Sequence, residues 1–130
     1  MDFVIIIPAR MNSTRLPRKP LLQIKGKSLI RRVYEEALKT KASRICIATD
    51  HESIVRECES FKAEVVLTSP DHKSGTDRLS EAASILNLEE KEIVVNLQGD
   101  EPFINPRDID SLVYLLIKEK KADLVTLYSE

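Results

Sequence analysis

The sequence predicts an α/β fold built on a mostly parallel sheet, and two observations predict it. Short runs of β-branched and aliphatic residues alternate with stretches of helical periodicity. The polar segments able to do chemistry all follow predicted strands. No apolar run approaches the ~18 residues a membrane span requires. A chain of 130 residues fits one domain, here residues 1–130, and it stops as a fifth strand ends, without a polar tail, as a truncated domain would.

Residues 4–7 (Val4, Ile5, Ile6, Ile7), bounded by Pro8, suit a strand covered on both faces. Residues 8–20 carry three prolines and no hydrophobic period, so they form a long loop, and long loops in compact domains are usually functional. From Ser28, the residues Leu29, Ile30, Val33, Ala37 and Leu38 recur at helical spacing, which predicts a helix over 28–41. Residues 44–49 read as a second buried strand. Asp50 is then placed to cap a helix with Ile54, Val55, Cys58 and Phe61 on its inner face. Residues 64–67 are a third strand. Ser74 and Asp77 fit a capping box, as N-cap and N3, before the periodic Leu79, Ala82, Ala83 and Leu86. Residues 93–97 are the fourth strand. Asn105 and Pro106 open a helix as N-cap and first helical residue, with Ile109, Leu112, Val113, Leu116 and Ile117 facing inward. Residues 123–127 close the chain as the fifth strand. Such alternation puts helices on both faces of the sheet through right-handed crossovers, with ligands at the carboxyl ends of the strands.

Composition is that of an ordinary soluble protein, with 42% hydrophobic and 32% charged residues. The N-terminus lacks the basic start and long apolar stretch of a signal peptide, so the cytoplasm is the expected compartment. Cys46 and Cys58 fall on apolar faces without metal-ligand spacing and read as buried free thiols. The overall net charge of −1 hides an asymmetry: residues 1–32 hold eight basic side chains against Asp2 alone. That segment suits a local anion site, a solvated basic face or a nucleic-acid patch. Its only aromatic is Phe3, inside the first strand, so stacking platforms are missing and nucleic acid is disfavoured.

Three constellations could carry chemistry. In residues 8–20, small and hydroxyl residues let backbone N–H groups approach an anion. Arg10, Arg15 and Lys19 could neutralise a triphosphate, although a solvated basic loop pinned by prolines has the same composition. In Leu97-Gln98-Gly99-Asp100-Glu101-Pro102, directly after a buried strand, Asp100 could hold Mg2+ through hard oxygen ligands; Gly-Asp is also ordinary turn chemistry. In residues 72–78, a loop becomes a helix N-terminus whose free amides suit an anion or a base edge. Arg78 sits in that first turn against the helix dipole and so needs a compensating partner. His51 and His72 read as surface or capping residues, and no nucleophilic Ser/His/Asp or Cys/His set is present.

Taken together, Ile7-Pro8-Ala9-Arg10, Ser13-Thr14-Arg15-Leu16-Pro17, Lys19-Pro20-Leu21, Ala48-Thr49-Asp50, Ser74-Gly75-Thr76-Asp77-Arg78 and Asn96-Leu97-Gln98-Gly99-Asp100-Glu101-Pro102 resemble the 3-deoxy-manno-octulosonate (KDO) cytidylyltransferases. The resemblance runs through the chain but reaches only the N-terminal, nucleotide-binding half of that family. It implies a Rossmann-like sheet of the nucleotide-diphospho-sugar transferase type. It also implies a transferase, more closely a nucleotidyltransferase, that converts CTP and KDO into CMP-KDO and pyrophosphate for lipopolysaccharide biosynthesis. It assigns Ala9, Arg10, Ser13, Arg15 and Lys19 to the nucleotide phosphates, and Ser74, Gly75 and Arg78 to the neighbourhood of the cytidine. Gln98 falls towards the sugar and Asp100 on Mg2+, with Lys19, Asp100 and Arg10 as the catalytic set. The resemblance implies a homodimer for the full-length protein, and neither nucleic acid nor a membrane is expected as a partner of this chain. Arg18 stands where the family usually has Gly, and Asp77 and Lys73 where Glu and Gln are common. The half that is not matched carries the family's second metal-binding Asp, so the 130 residues alone are expected not to turn over. A cytidylyltransferase for another sugar acid, and a non-catalytic nucleotide-binding fragment or interaction module, are the competing expectations.

Overall fold

A computed structural model of the chain describes residues 3–11, 19–69, 75–87, 93–97, 105–119 and 124–127. Strand β1 (Phe3–Ala9) is followed by a 3-10 turn at Lys19–Leu21 and a two-stranded hairpin, β2 (Gln23–Ile24) and β3 (Lys27–Ser28). Then come α1 (Leu29–Ala37), β4 (Arg44–Thr49), α2 (Glu52–Ser60), β5 (Glu64–Leu67), α3 (Gly75–Ile85), β6 (Ile93–Leu97), α4 (Pro106–Glu119) and β7 (Leu124–Leu127). The five long strands predicted are all present, in a single parallel sheet of order β5-β4-β1-β6-β7. The chain builds outward from β1 to β5 and then returns to add β6 on the other side. The strand order therefore reverses next to β1, the place where such sheets open a crevice at their carboxyl edge.

The alternating side chains of β1 supply two cores. Phe3, Ile5 and Ile7 pack with Ile30, Val33 and Ala37 of α1, Ile54 and Cys58 of α2, and Ile109 and Val113 of α4. Val4 and Ile6 face the other way, with Ala48, Val94 and Ala82 of α3. This is why the sequence of β1 is a continuous apolar run: no face of it meets water. The placement of α4 departs from expectation. The connection from β6 to β7 runs across the sheet in the same direction as that from β5 to β6, yet α4 lies on the face of α1 and α2. Its crossover thus has the opposite hand to the other three. Ile109 and Val113 gain the larger cluster there, and Asp110 Oδ1 accepts from the Lys41 amide at 2.9 Å.

Helix ends follow local chemistry. Ser28 Oγ accepts from the Arg31 amide at 3.3 Å and starts α1. The helix ends at Ala37 rather than 41, because the Lys39 and Thr40 amides donate to carbonyls three residues back and Thr40 Oγ1 donates to the Ala37 carbonyl at 2.7 Å. Leu38, expected to face inward, is exposed as a result. Asn105 Oδ1 accepts from the Arg107 amide at 2.9 Å, the predicted cap of α4. The predicted capping box of α3 involves Ser74, outside the described residues, although the helix does begin at Gly75. The β2–β3 hairpin was not expected; Lys25 and Gly26 both have positive φ, 52° and 87°, the twist a two-residue hairpin turn needs. Among the described residues no helix is long and apolar enough to cross a membrane.

Candidate functional site

Every strand of a parallel sheet points its carboxyl end to the same edge, so Arg10 and Met11 after β1, Asp50 after β4 and Thr68 and Ser69 after β5 converge there. Ala9 is buried at the tip of β1, and Arg10 beside it is exposed. Met11 turns back into the core, and its amide donates to Asp50 Oδ1 at 3.4 Å. At the ends of β4 and β5, the carbonyl of Thr49 accepts from both the amide and the hydroxyl of Thr68, at 2.7 and 3.2 Å. The Ser69 amide next to it donates to both carboxylate oxygens of Glu81, at 3.2 and 3.0 Å, and so ties the end of β5 to α3.

One turn before Glu81, Arg78 is the largest fully buried side chain described, 1% exposed. Its Nη2 lies 3.6 Å from Asp50 Oδ2 and 3.5 Å from the Ser69 carbonyl, while Nε and Nη1 have no hydrogen-bond partner among the described residues. Burial pushes the guanidinium's pKa down from its ordinary value; Asp50 opposes that shift, Arg10 adds to it and Glu81 again opposes it. Arg78 is a cation kept away from water with two donor nitrogens to spare among the described residues. Such a group is costly unless a ligand uses it. Asn96 on β6 repeats the pattern: it is buried, and its Oδ1 has no partner among the described residues.

Of the residues picked out in the sequence, the structure brings Ala9, Arg10 and Arg78 to this edge. Lys19 opens the 3-10 turn and Gly75 opens α3. Ser13, Arg15, Ser74, Gln98, Asp100 and His72 lie outside the described residues. Asp50 corrects the sequence reading. It does not cap α2; His51 does, its Nδ1 accepting from the Ser53 amide at 3.0 Å. That frees the Asp50 carboxylate to serve Met11 and Arg78. The signal for this was its position, the first residue beyond a buried strand. Cys46 and Cys58 are free and fully buried, and burial pushes each thiol up to about 12, which removes both from any chemistry here.

The family model for cytidylyltransferases matches residues 4–130 of the chain. The chain is 50% identical over 125 residues to the 3-deoxy-manno-octulosonate cytidylyltransferase of Pseudomonas syringae pv. tomato, covering 96% of this chain and 49% of that relative. To the enzyme of the same name from Chromohalobacter salexigens it is 48% identical over 126 residues, covering 97% and 49%. Its fold superposes on the structure of CMP:2-keto-3-deoxy-manno-octonic acid synthetase complexed with CTP with a TM-score of 0.86 at 42% identity, covering 93% of this chain and 49% of that one. The chain spans about half the length of the curated relatives it matches.

Proposed function

Because the chain belongs to the cytidylyltransferase family, we propose that this protein activates a sugar acid, joining CMP from CTP to KDO with release of pyrophosphate. Since the chain spans half the length of its relatives, the transfer is assigned to the whole protein and the nucleotide to this half. The observation that carries the reading is Arg78. A guanidinium sunk at the strand ends within the field of Arg10, with Nε and Nη1 unpartnered among the described residues, serves a ligand that offers acceptors, as a nucleotide does.

In this reading, Arg10, Arg15 and Lys19 neutralise the triphosphate, and the backbone from Ala9 to Ser13 approaches its oxygens. Ser74, Gly75 and Arg78 hold the cytidine side, and Gln98 meets the sugar. The anomeric hydroxyl attacks the α-phosphorus in line; Lys19 and Arg10 stabilise the charge that builds on the phosphates, so positioning and electrostatics do most of the catalysis. Mg2+ fits this edge by donor chemistry. Asp100 follows the end of β6 by three residues, and a hard cation that shares its shell with phosphates and waters needs only one or two carboxylates. When bound, Mg2+ would supply further neutralisation of the phosphates. We further read the protein as a cytoplasmic homodimer acting in lipopolysaccharide biosynthesis.

The test is pyrophosphate release by the full-length gene product from CTP and KDO in the presence of Mg2+. Asp100→Asn is expected to lower kcat by about 100-fold or more. An unchanged rate removes Asp100 from the mechanism. Turnover with another sugar acid and none with KDO replaces the substrate; CTP binding without turnover on any sugar acid favours a non-catalytic nucleotide-binding module.

A further inference from the structure

We propose that Asp50 is a positioning residue for the nucleotide: its carboxylate joins the start of the basic loop, at the Met11 amide, to the buried guanidinium of Arg78. It thereby sets the spacing between the two walls of the crevice. The inference rests on the nucleotide reading of that crevice and adds a residue to it. Asp50 belongs to neither wall. It is the first residue after β4, and its two oxygens point to different elements, Oδ1 to the end of β1 and Oδ2 to the first turn of α3. His51 has taken over the capping of α2, so the carboxylate is not held by the duty its sequence position suggests.

The distances argue against a plain structural latch. At 3.4 and 3.6 Å both contacts are longer than the ~2.8 Å of a charge-assisted hydrogen bond, so neither alone fixes the carboxylate, which stays adjustable between its partners. The burial is uneven as well: the Asp50 side chain is 14% exposed and that of Arg78 1%. Asp50 therefore acts as a counter-charge at the rim that keeps a deeper cation in place, with Nε and Nη1 of that cation still without partners among the described residues. Arg10 and Arg78 repel one another, and Asp50 offsets the repulsion. Without its charge, Arg78 keeps the Ser69 carbonyl and the Glu81 charge but loses the larger of the two carboxylate charges that favour it, and the Met11 amide loses an anionic acceptor just beyond β1. A competing effect runs the other way: Asp50 is an anion near a site for anions, and its removal would by Coulomb attraction alone tighten CTP. The sign of the change thus separates positioning from mere proximity.

The experiment is steady-state kinetics of the full-length protein with CTP and the sugar acid varied in turn, for wild type, Asp50→Asn and Asp50→Glu. Asp50→Asn is expected to raise the KM for CTP roughly 10- to 100-fold, the worth of one lost contact to a charged group, and to leave the KM for the sugar acid within about twofold. Asp50→Glu, which keeps the charge but displaces it by a methylene, is expected to give a smaller rise in the CTP KM alone and to remain folded should the Asn variant not. A CTP KM that is unchanged or lower in both variants overturns the proposal. So does a fall in kcat with both KM values intact, the pattern of a smaller folded fraction. A wild-type protein that does not bind CTP refutes the nucleotide reading instead, which keeps the two failures apart.

Discussion

At the middle of β1, Ile5, Ile6 and Ile7 are wholly enclosed within two apolar clusters; at the carboxyl edge of the same sheet, Thr49, Thr68 and Arg78 are enclosed almost as completely and are polar or charged. In the interior, burial removes apolar surface from water and stabilises the fold. At the edge, burial desolvates the Arg78 guanidinium, whose Nε and Nη1 stay unpartnered among the described residues, which opposes folding. The difference teaches where stability ends and binding begins along the sheet, at the level of Ala9 and Thr49.

The comparison can be broken by substitution. Ile5→Ala, in the fully enclosed interior, is expected to cost about 2–5 kcal/mol of unfolding free energy by urea titration, with CTP affinity of the folded fraction unaltered. A loss below about 1 kcal/mol would mean the interior is not close-packed. The thiols test the same interior through pH. A thiol that ordinarily titrates near 9 is pushed up to about 12 at Cys46 and Cys58, first by desolvation, so the folded state holds a proton the unfolded chain releases. Stability from this source is complete below about pH 9 and is lost as pH rises towards 12, at about 1 kcal/mol per pH unit for each thiol. Cys58→Ala should flatten the dependence of the urea midpoint on pH in that window; an unchanged slope would mean the thiol is not desolvated. The smallest change in stability is expected at the edge. Replacing the pair together, Asp50→Asn with Arg78→Met, should leave unfolding free energy within about 1 kcal/mol of wild type, or raise it, while CTP binding measured by calorimetry is lost. A large destabilisation with CTP binding intact would make the edge part of the structural core.

Much of this was legible because it is local or periodic. The continuous apolar run of β1, the alternation of strands with helices, and the Asn105-Pro106 start of α4 each write a structural consequence directly into neighbouring residues. The β2–β3 hairpin escaped notice because Lys25-Gly26 is not one of the strong hairpin dipeptides, and only its backbone angles reveal it. The extra turn expected for α1 failed at Thr40, whose hydroxyl offered the ending carbonyls a partner that hydrophobic spacing does not register.

The site divides in the same way. The sequence by itself determined the strands, the basic charge of the segment after the first of them, and the oddity of an arginine in the first turn of α3, because each is a property of a short segment. Only the tertiary structure decided that Asp50 leaves its helix to stand between Met11 and Arg78, partners 39 and 28 positions away in the chain, and that α4 crosses to the face of α1. Pairings between distant residues depend on which strand ends the sheet order brings together, and strand order is set by the packing of all the elements at once.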